Sequence, residues 1–189
     1  MIQVKGIPSC LDGTLVDWVA KVSVEPTITL GVDPGTALLG YGVIAGDDAV
    51  RVIDFGVLET TPDEPMPKRL QFLYAGMCRL IQSYHPDTVV VEQLFFARNV
   101  TTALAVGQAR GVVMLAAAQA GVPVNEYTPA EVKQAVSGYG RANKSQMQEM
   151  VRMLLGLEDI PRPDDAADAL AVALCHVQTA RFRHAVDGR

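Results

Sequence analysis

The chain has 189 residues, 49% hydrophobic and 20% charged, with a formal net charge of −5. A chain of that length and composition builds one domain with a substantial core, which excludes intrinsic disorder. Three scattered cysteines, Cys10, Cys78 and Cys175, exclude a disulfide scaffold and a cysteine zinc site.

The first twenty residues lack a basic start followed by a continuous apolar run, so no signal peptide is expected. The longest apolar stretch, residues 103–122, is interrupted by Gln108, Arg110 and Gln119 and is not a membrane span. A cytoplasmic protein without membrane attachment is expected. Charge is unevenly distributed. Residues 28–97 hold nine acids against four bases, and residues 98–152 hold six bases against three acids. An acidic focus beside a basic middle suits a metal-dependent enzyme acting on a polyanion, and it also suits an ordinary mixed surface.

In chain order, residues 1–27 show no steady periodicity and read as an appended arm. Ile28, Leu30 and Val32 alternate with Thr29, Gly31 and Asp33, which predicts a half-buried strand running into the Pro34-Gly35 turn. Strands are predicted at about 39–45 and 51–58, completing a meander. Leu70, Leu73, Tyr74, Met77, Leu80, Ile81 and Tyr84 recur at helical spacing and predict a helix over about 66–84. Residues 88–92 form a short apolar run typical of a strand covered on both faces. A helix over about 101–120 and a strand at 124–127 follow. Thr128-Pro129-Ala130-Glu131 and Asn143-Lys144-Ser145-Gln146 are capping boxes that open two further helices. A last helix starts near Pro163 and runs past Leu174. The order predicts an α/β fold with a mixed five-stranded sheet, one domain over 28–180 and a tail over 181–189.

Four acids stand out. Asp33 ends the first strand and Glu92 ends the fourth, where side chains point into the crevice of an open α/β sheet. Asp165 and Asp168, three apart, share one face of the last helix among alanines, where uncompensated acids are costly. Singly, Asp33 reads as an Asx turn, Glu92 as a strand end and Asp164 or Asp165 as a helix cap. Asp168, inside the helix, resists such a reading. Together they are an oxygen set for one or two Mg²⁺ ions. His85, His176 and His184 read as surface-turn, helix-end or tail residues, and Phe96 as core. Gly138-Tyr139-Gly140-Arg141 is either a phosphate-touching loop or a plain connector between helices.

Gly31-Val32-Asp33-Pro34-Gly35, Val91-Glu92-Gln93-Leu94-Phe95, Gly107-Gln108-Ala109-Arg110-Gly111 and Asp165-Ala166-Ala167-Asp168-Ala169-Leu170-Ala171 resemble, in order and spacing, the RuvC Holliday-junction resolvases of bacteria. The resemblance covers about residues 28–180. It implies an RNase H-like fold with helices on both faces of the sheet, a homodimer, and Mg²⁺-dependent cutting of two opposed strands of a four-way DNA junction. It further implies two ions per site, with Mn²⁺ able to substitute, and contact with the RuvA and RuvB branch-migration proteins. Asp33, Glu92, Asp165 and Asp168 match the family's acidic metal positions. Phe95 matches an aromatic near the junction centre, and Lys133 and Lys144 match basic residues that approach DNA. Arg98 and Arg141 join the expected DNA-binding set as members of the basic middle. The arm before Thr27 departs from the family, whose members begin almost at the first strand. Two rival readings stand beside this one: an actin-like ATPase, because Val32-Asp33-Pro34-Gly35-Thr36 suits a phosphate loop, and a junction-binding protein without catalysis.

Overall fold

The computed structural model describes residues 26–47, 49–93 and 100–187. Strands β1 (Ile28–Asp33), β2 (Leu38–Ala45) and β3 (Arg51–Glu59) are followed by helix α1 (Met66–Tyr84) and strand β4 (Thr88–Glu92). Helix α2 (Val100–Gln119) leads to β5 (Val124–Tyr127), α3 (Pro129–Ser137), α4 (Lys144–Leu154) and α5 (Asp164–Asp187). The strands form one sheet in the order β3-β2-β1-β4-β5. Short turns join β1, β2 and β3, so those pairs are antiparallel, whereas α1 and α2 carry the chain back to make β4 parallel to β1 and β5 parallel to β4. The order and type of elements agree with the sequence pattern. Helix α5, however, continues through Asp187, so residues 181–187 are helical where a tail was expected. Among the described residues no helix is long and apolar enough to cross a membrane.

Each face of the sheet carries its own core, because successive strand side chains alternate. Leu30, Val32, Val43, Val89 and Val91 pack with Leu73 and Met77 of α1 and Ala109 and Val113 of α2. On the other face Ile44, Val90 and Tyr127 pack with Val132, Met147, Val151, Leu170 and Leu174 of α3, α4 and α5. Helix α2 is apolar nearly all round, which predicts cover on both sides. Among the described residues one side is covered: Ala109, Val113, Ala116 and Ala117 are buried, whereas Leu104 and Leu115 are 64% and 51% exposed.

Helix α5 lies unusually close to β1 and β2. A Cβ added at Gly31 would stand 2.2 Å from the Ala169 carbonyl oxygen, one at Gly40 would stand 2.0 Å from that of Asp165, and one at Gly42 would meet Leu170. Gly31 pairs with Gly42 across the strands, and Asp33 pairs with Gly40. The missing side chains form a track on which the helix backbone rests. Gly40→Val is expected to destabilise the protein by about 1–3 kcal/mol or more, as overpacking against backbone does. Gly140→Ala, with its nearest neighbours 3.8 Å away, is expected to stay within about 0.5 kcal/mol of wild type. Urea unfolding of the two variants checks the contrast.

Candidate active site

The β1–β4 register pairs Val32 with Val91, so the next residues, Asp33 and Glu92, end neighbouring parallel strands side by side. Both share the strand face that α5 covers, since Gly31, two residues before Asp33, contacts Ala169 and Ala173. On α5, Asp168 lies one turn beyond Asp165 and borders the same cleft. The cleft encloses about 290 Å³, with Asp33, Glu92, Asp168, Lys133 and Lys144 at its polar wall and Val132, Met147 and Val172 among its apolar groups.

Two capped helices deliver the lysines. Thr128 Oγ1 accepts from the Glu131 N–H while the Glu131 carboxylate accepts from the Thr128 N–H at 2.7 Å, which starts α3 directly after β5 and brings Lys133 to the cleft. Asn143 Oδ1 accepts from the Gln146 N–H at 2.9 Å, and Gln146 Oε1 accepts from the Asn143 N–H, starting α4 with Lys144 at its first position. Lys144 Nζ then lies 3.5 Å from Asp168 Oδ2 and 3.2 Å from Asp164 Oδ2.

The acids are crowded and only partly neutralised. Burial, then the charges of Asp168, Glu92 and Asp165, push the Asp33 carboxyl up to about 7, with Lys144 pulling the other way. Burial and the Asp168 charge also raise Glu92, against Lys133. Asp168 is raised chiefly by burial despite the Lys144 ammonium beside it. The three cleft carboxylates, with Asp164 and Asp165 beside them, thus outnumber the two lysines. An all-oxygen set that carries excess negative charge suits a hard divalent cation in chemistry. As the side chains stand, no three of the described acids gather tightly enough to hold an ion, and Lys144 supplies the cationic partner of Asp168.

The expected site residues therefore separate. Asp33, Glu92, Asp168, Lys133 and Lys144 meet at the cleft; Asp165 stands beside it, half-buried, with its carbonyl over Gly40. Arg141 is exposed on the α3–α4 connector and does not line the cleft. Phe95 and Arg98 lie outside the described residues. Asp164, read from sequence only as a candidate cap, binds Lys144 and also Arg162, whose Nη1 donates to Oδ1 at 2.7 Å. No local signal announces that pairing, because the partners lie on different helices.

The electrostatics predict a pH signature. An acid at 3.8 when unfolded and about 7 when folded binds protons more tightly in the native state across that interval, so its contribution to stability is present below about pH 4 and is lost as pH rises through 7. Without divalent ions, Asp33→Asn should therefore melt higher than wild type at pH 8, by roughly 2–4 °C per kcal/mol of relieved repulsion. The difference should vanish near pH 4, and differential scanning calorimetry at the two pH values checks it.

A family model described as crossover junction endodeoxyribonuclease RuvC matches residues 29–176. The crossover junction endodeoxyribonuclease RuvC of Thermomicrobium roseum is 60% identical over 152 residues, covering 80% of this chain and 93% of that protein. That of a Roseiflexus species is 56% identical over 165 residues, covering 86% and 98%. Among solved structures, Thermus thermophilus RuvC in complex with Holliday junction substrate superposes with a TM-score of 0.80 at 42% identity, covering 83% of this chain and 96% of that one. The yeast mitochondrial Holliday junction resolvase Ydc2, 13% identical with a TM-score of 0.62 and covering 88% and 86%, shares the fold, which is RNase H-like. With such identity extending over nearly the whole length of its relatives, the chain belongs to the RuvC family of crossover junction endodeoxyribonucleases.

Proposed function

We propose that the protein is a structure-selective endonuclease that resolves four-way DNA junctions by paired, metal-dependent hydrolysis of opposed strands, in recombination and repair in the cytoplasm. The observation that carries this reading is the meeting of Asp33, Glu92 and Asp168, from two strand ends and a helix, in one cleft edged by Lys133 and Lys144. Bound divalent metal, Mg²⁺ in the first instance with Mn²⁺ as a substitute and two ions per site, would supply an activated water and charge neutralisation at the leaving 3′ oxygen. Asp33, Glu92 and Asp168 are the residues that would hold it, with Asp165 beside them. Lys133 and Lys144 bind the phosphates flanking the scissile bond, and Arg141 extends the basic surface. Phe95 and Arg98 are assigned to DNA contact by their match to the family or to the basic middle alone.

Two cuts on opposed strands call for two sites, which favours a two-fold homodimer. Leu104 and Leu115, exposed on the same face of α2 about three turns apart, support an interface along that face. RuvA and RuvB are the expected partners in the cell. The actin-like ATPase reading finds no support: the described residues form a single five-stranded sheet, without a second lobe to close over a nucleotide.

Cleavage mapping on a mobile four-way junction in Mg²⁺ tests the proposal, with ATP hydrolysis as the alternative outcome. Paired nicks on opposed strands are expected. Asp33→Asn or Glu92→Gln should abolish cleavage, while junction binding is kept or strengthened. Near wild-type cutting by either variant overturns the site. Lys133→Ala should weaken binding and reduce the slope of log K against log salt by about 1, which titrations at several salt concentrations read directly. Leu115→Glu should lower dimer affinity and paired cutting together, as sedimentation and cleavage mapping will record.

A further inference from the structure

The Lys144 ammonium is shared. One partner, Asp168, borders the cleft; the other, Asp164, sits four residues earlier on α5 and does not line it. Asp164 is the nearer, at 3.2 Å against 3.5 Å. It is also a hub, because its other oxygen accepts from Arg162.

A divalent cation and the Lys144 ammonium compete for the same Asp168 carboxylate, and like charges cannot crowd that point together. A lysine whose one partner was Asp168 would either block the cation or be driven off by it. We propose that Asp164 is a positioning residue: it gives Lys144 a second anchor, so that Asp168 is released to a cation while the ammonium stays at the cleft rim for a substrate phosphate. This rests on the reading of the cleft acids as the metal site. Both side chains are about half exposed, so the effect is modest, a factor of about two to five.

Asp164→Asn isolates the charge, because asparagine keeps the size and the hydrogen-bonding capacity useful at a helix start. Mn²⁺ binding to the full-length protein without DNA, followed by electron paramagnetic resonance, gives a readout independent of cleavage. Wild type, Asp164→Asn, Lys144→Met, the double variant and Asp168→Asn form the set. Asp164→Asn is expected to weaken Mn²⁺ binding about two- to fivefold, and that loss should disappear in the Lys144→Met background, since no ammonium then falls back on Asp168. An equal loss in both backgrounds shows that Asp164 acts by its own charge on the cation and overturns the inference, as does no loss at all. A wild-type protein that binds no Mn²⁺, or binds it as Asp168→Asn does, overturns the metal reading itself and this inference with it.

Discussion

The seating of α5 on the glycine track of β1 and β2 is the contact on which the rest depends. Glycine weakens a strand by its entropy and by packing nothing, and three glycines at 31, 40 and 42 are a local cost. The return is an approach of helix backbone to sheet that no side chain would allow, burying Ala166, Ala169, Leu170 and Ala173. The same approach carries Asp168 to the ends of β1 and β4. The stability of the helix and the geometry of the acids are one property.

The price of that geometry is electrostatic. Carboxylates drawn from three elements into a half-buried cleft repel each other and lose solvation, which is why Asp33 stands far above the usual carboxylate range. Lys133 and Lys144 relieve part of the strain. The fold withstands the remainder because two independent cores, one on each sheet face, hold the strand ends where they are. Clustered acids that raise each other's affinity for protons raise it for other cations too, which links this instability to the chemistry proposed.

Much of this was legible in the sequence because it is written in short-range patterns. Alternation marked β1, helical spacing marked α1, and the two capping boxes marked α3 and α4; acids at strand ends announced Asp33 and Glu92. What was not legible depends on tertiary placement. Gly31, Gly40 and Gly42 look like weak strand residues until α5 is laid on them. An all-apolar helix such as α2 has no preferred face in its pattern, so which side is covered cannot be read from it. The last turns of α5 present Phe182 and Val186 to solvent, at 71% and 55% exposure, and so lack the core periodicity that would have extended the helix past 180. The Lys144–Asp164 pair joins two helices through space alone. The four acids were recognisable as a set mainly because the surrounding motifs resemble a family; singly, three of them had plainer readings.

The sheet also acts as a partition. Helices α1 and α2 pack on one side, and α3, α4 and α5 with the acids pack on the other; the strands stand between the two layers. Side chains separated by a packed sheet share few partners, so their substitutions combine nearly additively. The layer of α1 and α2 can therefore drift in sequence and change its exposed leucines while the layer of α3, α4 and α5 keeps its arrangement. A protein built this way lets substitutions accumulate on the side of α1 and α2 without disturbing the acids on the other, and the backbone of five strands is the boundary between them.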